Sequence, residues 1–184
     1  MKPTDDLREE HKAVKLMLRI LDTVCKNIET GRYVKQEHLE ELVEFMKVFV
    51  DKCHHTKEEA YLFPEMEKSE IPDSRELITS LKNEHEEGRQ YVSRIEKIVS
   101  KKEEHRELPG MVESSRAYIR LLTQHVEKED NNLFPMADAY LSESVQKKLL
   151  EAFEILEHEI IGYGKHEEFH KWLHKMEEIY TKPD

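Results

Sequence analysis

Two segments of the chain carry the same pair of side chains with the potential to bind a metal. His54 and Glu58 lie four residues apart, as do His125 and Glu129, and 71 residues separate the two pairs. On an α-helix, side chains four residues apart lie on one face, one turn from each other. An imidazole and a carboxylate placed in this way can supply two ligands to a metal ion. Because the pair occurs twice, the sequence predicts two metal ions, or one pair of metals held from both sides.

The repeat extends beyond these two pairs. Each pair is followed by Leu-Phe-Pro, ending at Pro64 and at Pro135. Each is preceded by a Glu-His dipeptide, in which His11 and His85 lie 74 residues apart and a basic residue follows four positions later. A period of 71 to 74 residues predicts two similar helical hairpins.

The composition is typical of an all-α protein. Glycine and proline are sparse, with five and six occurrences in 184 residues, and 38% of the residues are charged. Apolar residues recur with helical spacing and rarely alternate, so we predict no strands. Five helices are predicted, with approximate bounds Thr4 to Gly31, Val34 to Pro64, Asp73 or Ser74 to Lys101, Pro109 to Tyr140, and Ser142 or Ser144 to Tyr180. The last is interrupted at Gly162 and Gly164.

Helical phase separates histidines that face the core from histidines that face solvent. His54 and Glu58 continue the apolar stripe of the second helix, whereas His55 falls in phase with charged residues and is expected on the surface. His38 and His105 lie in polar surroundings and are also expected on the surface. The histidines predicted to face the core are His11, His54, His85 and His125.

These residues favour a metal site over ordinary packing. A single histidine on an apolar face is more often a hydrogen-bonded core residue than a ligand. A buried glutamate, however, costs several kcal/mol unless it is paired or bound to a metal, and here two glutamates share this position. Imidazole and carboxylate ligands without thiolate suit iron, manganese or zinc. Two ligand sets that face each other across a bundle favour a dinuclear site.

The combined motifs resemble the hemerythrin-like, HHE cation-binding family. The matching segments are Glu10-His11, His54 to Glu58, Glu84-His85 and His125 to Glu129, together with both Leu-Phe-Pro tails, over residues 5–140. The resemblance implies an up-down antiparallel four-helix bundle that holds two iron ions joined by an oxo or hydroxo bridge. It also implies that Glu58 and Glu129 are bridging carboxylates. Manganese and zinc are the alternative metals.

One family feature is missing from the third helix. Oxygen-carrying members use five histidines, but Arg89 stands four residues after His85. We predict that His166, which heads an apolar stripe near the C-terminus, is the additional ligand. Weaker candidates are His158, Glu159 and His170. The predicted metal ligands are therefore His11, His54, Glu58, His85, His125, Glu129 and His166.

The predicted arrangement is a metal-binding bundle at 1–140 with a C-terminal helical extension at 141–184 packed on it. The resemblance implies that O2, or a related small oxidant such as peroxide or nitric oxide, binds or reacts there in oxygen, iron or redox sensing, carriage or detoxification. We expect a binding protein rather than a dedicated enzyme and predict no catalytic residue. Oxidase or peroxide-degrading activity is the enzymatic alternative. A sensor would require a protein partner.

Two other functions fit parts of the sequence. His166-Glu-Glu-Phe-His170 matches the HExxH pattern of zinc hydrolases, but that site needs a third ligand and only fourteen residues follow. His174, one turn further along the helix, could supply it, but the sequence indicates no substrate cleft. Alternatively, the chain is a metal-free or zinc-binding helical interaction protein whose core histidines respond to pH. Metal content distinguishes these alternatives from the dinuclear centre.

Charge and hydropathy limit the partners and the location. The net charge of −11 argues against binding to nucleic acid or to an anionic membrane. No apolar run approaches the ~18 residues of a membrane span, and the N-terminus lacks a signal-peptide core. Cys25 and Cys53 are too few for a disulfide framework. We therefore expect a cytoplasmic protein.

Overall fold

The computed structural model describes residues 1–102 and 107–181. Within those ranges the chain forms six helices and no strand, which confirms the all-α prediction. None of the described helices is long and apolar enough to cross a membrane. The helices are α1 (Pro3–Glu29), α2 (Gln36–Glu44, continued through Phe45–His55, Lys57–Leu62 and Phe63–Lys68), α3 (Ser74–Val99), α4 (Leu108–Lys128, continued through Glu129–Leu133 and Phe134–Tyr140), α5 (Glu143–Ile155, continued through Leu156–Gly162) and α6 (Lys165–Tyr180).

The first four helices pack as a bundle around an apolar core. Helix α4 lies against both α1 and α3, and α2 closes the bundle by contacting α1 and α3. The apolar stripes that the sequence places on each helix meet in this core, and they supply the main stabilisation of the fold. Representative buried side chains, one or two from each helix, are Met17, Leu21, Met46, Ile95 and Leu122.

Helix α2 is wound more widely than an α-helix over most of its length. Phe45–His55 and Lys57–Leu62 are π-helical, and so is Glu129–Leu133 in α4. In a π-helix each backbone N–H bonds to the carbonyl five residues earlier, so each residue turns the chain through a smaller angle. Successive side chains consequently lie closer together around the helix axis. Here the prediction for His55 is wrong, because this side chain is only 3% exposed.

Helices α5 and α6 cover one side of the bundle. The chain breaks between them at Gly162 and Gly164, whose φ angles of 113° and 76° lie in the left-handed region that favours glycine. The predicted interruption at these two glycines is therefore confirmed, and it divides the fifth segment into two helices. Residues Phe169, Leu173 and Met176 of α6 join the core formed by the bundle.

Helix α6 also explains a second exposure error. His38 was expected on the surface, but it is buried, and its Nδ1 lies 2.7 Å from the hydroxyl oxygen of Tyr180. The covering helix follows His38 by more than a hundred residues in the sequence, so local polarity gave no sign of it. His105, the other predicted surface histidine, lies outside the described residues.

Truncation of Phe45 tests the packing of α6 against the bundle. The Phe45 ring centroid lies 5.5 Å from that of Phe169 and 5.4 Å from that of Trp172. We expect Phe45→Ala to lower the free energy of unfolding by about 3–5 kcal/mol, because it opens a cavity in a buried aromatic cluster. Denaturant titration measures this loss. Tyr33→Ala, at a side chain that is 72% exposed, should change stability by less than ~0.5 kcal/mol.

Candidate metal centre

Six of the seven predicted ligands converge in the middle of the bundle. All six are at most 1% exposed, so their predicted burial is confirmed. The Nε2 atoms of His11 and His54 lie 3.0 Å apart, and those of His85 and His125 also lie 3.0 Å apart. The four bundle helices supply these residues as His11 from α1, His54 and Glu58 from α2, His85 from α3, and His125 and Glu129 from α4.

Each of the two glutamates spans both histidine pairs. The Oε1 of Glu58 lies 3.6 Å from His54 Nε2, and its Oε2 lies 3.4 Å from His85 Nε2. The Oε2 of Glu129 lies 3.3 Å from His11 Nε2, and its Oε1 lies 3.2 Å from His125 Nε2. The residues thus form two four-ligand groups, each with ligand atoms within 4.8 Å of one another, that share Glu58 and Glu129.

The donor atoms of this site fit two cations. Among the described residues, no side chain forms a hydrogen bond of normal geometry with any of the four carboxylate oxygens of Glu58 and Glu129. An unsatisfied buried polar group costs about 1–3 kcal/mol, and a charged one costs more. A cation in each group would satisfy these oxygens and the facing Nε2 atoms together. The residues present therefore fit a dinuclear site.

Four outer carboxylates orient the histidine rings. A ligating histidine commonly donates its other N–H to a carboxylate, which fixes the tautomer and makes the inner nitrogen more basic. All four histidines of the two pairs have this partner, so every Nε2 faces the centre. The Nδ1 contacts are His11 to Asp130 at 2.7 Å, His54 to Glu10 at 2.8 Å, His85 to Glu59 at 2.7 Å and His125 to Glu84 at 2.9 Å.

Cations hold the outer carboxylates in the same way in both halves of the sequence repeat. Lys15 Nζ lies 2.8 Å from Asp130, and Arg89 lies 2.6 Å from Glu59. These are the basic residues that follow His11 and His85 by four positions. Their repeated spacing thus reflects the support of a carboxylate rather than contact with a metal. The remaining two pairs are Lys57 with Glu10 and Lys128 with Glu84.

The surroundings shift the pKa values of the central groups in opposite directions. Burial lowers the pKa of His54 to about 4, so this ring is neutral near pH 7. Burial also opposes protonation of His125, but the facing Glu129 and Glu84 outweigh it and raise the pKa of His125 to about 9. Burial and the neighbouring Glu129 raise the pKa of the Glu58 carboxyl well above its usual value.

The seventh predicted ligand lies outside the two groups. His166 Nε2 is 3.6 Å from Glu10 Oε1, and the ring stacks on Phe49 with centroids 5.2 Å apart. The weaker candidates His158 and Glu159 are exposed. Neither His166 nor His170 belongs to a cluster of three or more metal-binding side chains in the described part of the chain. The structure thus shows no third ligand for the HExxH pattern there.

Sequence reasoning missed a histidine beside the centre. His55 stacks on His85 with ring centroids 3.8 Å apart, and it forms a further group with His85 and His125. The adjacent His54-His55 pair was the only local signal. With α-helical winding, helical phase places His55 on the solvated face, but the π-helical winding of Phe45–His55 changes that phase.

Lys57 is a buried charge that links α5 to the centre. Its side chain is fully buried, and its ammonium donates hydrogen bonds to Asp6, Glu10 and Glu157. Glu10 in turn accepts from His54. Because Glu157 comes from the π-helical part of α5, the C-terminal helices complete the surroundings of one histidine pair.

Comparison with known proteins agrees with the geometry. The family described as the hemerythrin HHE cation binding domain matches residues 2–137. Uncharacterized proteins from Mycobacterium tuberculosis and Mycobacterium bovis are similar, with 24% identity over 161 residues. The match covers 86% of this chain and 62% of each relative, so the chain spans less than two thirds of their length. No solved structure matches the chain.

Lys57 and Lys128 form a matched pair for testing the outer charges. We expect Lys57→Met to lower the free energy of unfolding by about 3–5 kcal/mol, because it leaves the buried carboxylate of Glu10 without its cation. Lys128 supports Glu84 in the equivalent place but is 40% exposed, so Lys128→Met should cost at most about 1 kcal/mol. Chemical denaturation of the metal-free protein measures the loss of unfolding free energy in both variants. Equal losses in the two variants would contradict the expectation that the buried Lys57 contributes more than the partly exposed Lys128.

Metal uptake should release protons near pH 7. The raised pKa of His125, about 9, means that this ring is protonated at pH 7 in the metal-free protein. A metal needs the unprotonated Nε2, so binding must displace that proton. Calorimetric titrations in buffers of different ionisation enthalpy measure the release, which should decline as the pH approaches 9. Metal uptake without proton release at pH 7 would exclude a protonated His125.

Proposed function

Because this chain belongs to the hemerythrin HHE cation-binding family, we propose that it holds two iron ions and binds, or reacts with, O2 or a related small oxidant such as peroxide or nitric oxide. The observation that carries this proposal is the position of Glu58 and Glu129. Each carboxylate lies between two histidine pairs, and its oxygens accept no hydrogen bond from the described residues. Such a carboxylate is suited to bridging two metals.

The choice of iron rests on the donors and on the chemistry. Imidazole and carboxylate ligands suit iron, manganese and zinc, and no thiolate belongs to either four-ligand group. Zinc has no redox chemistry and therefore fits an oxidant-binding role poorly. When bound, a ferrous pair would supply electrons and open coordination positions to a small oxidant.

The protein's own residues would prepare this site in three ways. His11, His54, His85 and His125 would supply the nitrogen ligands, with their rings held by the outer carboxylates. Glu58 and Glu129 would hold the two ions together. Phe134 stacks on His11 and Phe63 stacks on His85, and these rings would limit the access of water to the site on those two sides.

The proposal extends to the physiological role, which is the sensing, carriage or detoxification of oxygen or a related small oxidant. A metal- and oxygen-binding protein fits the donor set without a dedicated catalytic residue, and oxidase or peroxide-degrading activity is the enzymatic alternative. A sensing role would need a protein partner. A cytoplasmic location is supported by Cys25 and Cys53, both of which are buried and form no disulfide.

Metal analysis of protein purified without oxygen tests the proposal directly. We expect about two iron ions per chain, as in other bundles with paired metals. Exposure to air should then produce a new charge-transfer band in the visible spectrum. One zinc ion per chain, or no metal with an unchanged spectrum, would contradict the proposal.

Replacement of a bridging carboxylate should separate metal binding from folding. Free metal at 100 times its dissociation constant should raise the free energy of unfolding of the wild type by about 2.7 kcal/mol. Glu129→Gln keeps the volume of the side chain but removes the charge, so we expect this variant to gain little stability from metal and to lose its iron. Glu113→Gln, on the exposed face of α4, serves as the control. Full iron stoichiometry in Glu129→Gln would refute the assignment.

A further inference from the structure

His55 is a buried histidine whose inner ring nitrogen has no partner. Its side chain is only 3% exposed, although it directly follows His54 in the sequence. Among the described residues, none forms a hydrogen bond with its Nε2. Buried side-chain nitrogens are rarely left in this state, so the atom requires an explanation.

The orientation of His55 matches that of the four histidines in the two pairs. Each of those rings turns Nδ1 towards a carboxylate and Nε2 towards the centre. His55 likewise turns Nδ1 towards Asp51, although the distance to Oδ1 is longer at 3.4 Å. Asp51 is itself held by Arg89, whose Nε lies 2.8 Å from the same oxygen. Asp51 therefore has the position of a fifth outer carboxylate.

The ring of His55 lies on the side of the centre formed by His85 and His125. The His55 ring stacks on His85 and meets the edge of His125 with centroids 5.8 Å apart. Ligand nitrogens of these three residues lie within 4.8 Å of one another. A single ion could therefore contact all three rings.

The residue one turn after His85 is not available as a third ligand for the ion. Arg89 occupies that position, and its guanidinium is engaged by Asp51 and Glu59. The π-helical winding of α2 instead allows two adjacent histidines to face the interior, each towards a different pair. In the other half of the repeat, the residue equivalent to His55 is Val126, which offers no ligand.

We propose that His55 is the third histidine of the metal position formed by His85 and His125. This inference rests on the dinuclear centre proposed above and makes its two metal positions inequivalent. One position has three imidazoles, and the other has two, from His11 and His54. Since Glu58 and Glu129 serve both, more coordination positions stay open for a small ligand on the His11–His54 side.

A cavity beside His55 allows a chemical rescue experiment. It has a volume of about 230 Å³ and is lined by His55, Gly88, Arg89 and Tyr118, among others. Removal of the His55 ring would enlarge this space next to the metal position. Free imidazole could then enter and replace the missing nitrogen.

The test compares two variants by titration with Co(II), whose absorption reports each binding step. We expect His55→Ala to weaken one of two binding steps by at least ~10-fold, and imidazole to restore it. His55→Phe keeps an aromatic ring against His85 but has no nitrogen, so it should show the same loss without rescue. His38→Ala, at a buried histidine that contacts Tyr180 instead, should leave both steps unchanged. Circular dichroism of the metal-free forms checks folding.

The outcomes separate this inference from the proposed function. Wild-type affinity for both ions in His55→Phe would show that His55 only packs against His85, and it would overturn the inference while the dinuclear centre stands. Loss of both steps in folded His55→Phe would also overturn the assignment to one position. A wild-type protein that binds no pair of ions would instead refute the proposed function itself. If His55→Ala does not fold, His55→Phe decides.

Discussion

The burial of two carboxylates against each other is the constraint on which the rest of this structure depends. Glu58 and Glu129 come from different halves of the chain, and both are fully buried in the bundle core. Without cations between them, such groups repel each other and lose their hydration, which costs several kcal/mol. In the metal-free protein, burial and the neighbouring Glu129 raise the pKa of the Glu58 carboxyl well above its usual value, which favours its protonated form. Two divalent ions would relieve this repulsion fully.

Successive layers of side chains around this centre alternate between acidic and basic groups. The central carboxylates face histidines, the histidines donate to outer carboxylates, and these accept from lysine or arginine. Because each layer fixes the next, the ring orientations are set before any metal binds. The two halves of the repeat build the same layers, but they differ in two places. Lys57 is buried under α5, whereas Lys128 is partly exposed. The residue equivalent to His55 in the other half is Val126, which has no polar side chain.

The π-helical winding of α2 is the feature that joins fold to site. It spans His54, His55 and the segment that carries Glu58, and a shorter π-helical segment begins at Glu129. Such windings are uncommon and frequently occur at functional sites. Here the winding brings neighbouring histidines to the interior together.

The sequence by itself determined the helices, the family and the six buried residues that converge on the centre. Those features depend on the spacing of residues within one helix, which is a local property of the sequence. The His-x3-Glu motifs and the apolar stripes on which they lie can therefore be recognised without the structure. The tertiary structure decided the surroundings of His55, His38 and His166. His55 depends on a change of helical winding that the sequence did not reveal, and His38 is buried by a helix distant along the chain. His166 was in phase with an apolar stripe, but the packing of α6 sets it against Glu10, outside the two four-ligand groups. Phase within a helix predicts which side chains face inward, whereas the position of the helix decides what they meet.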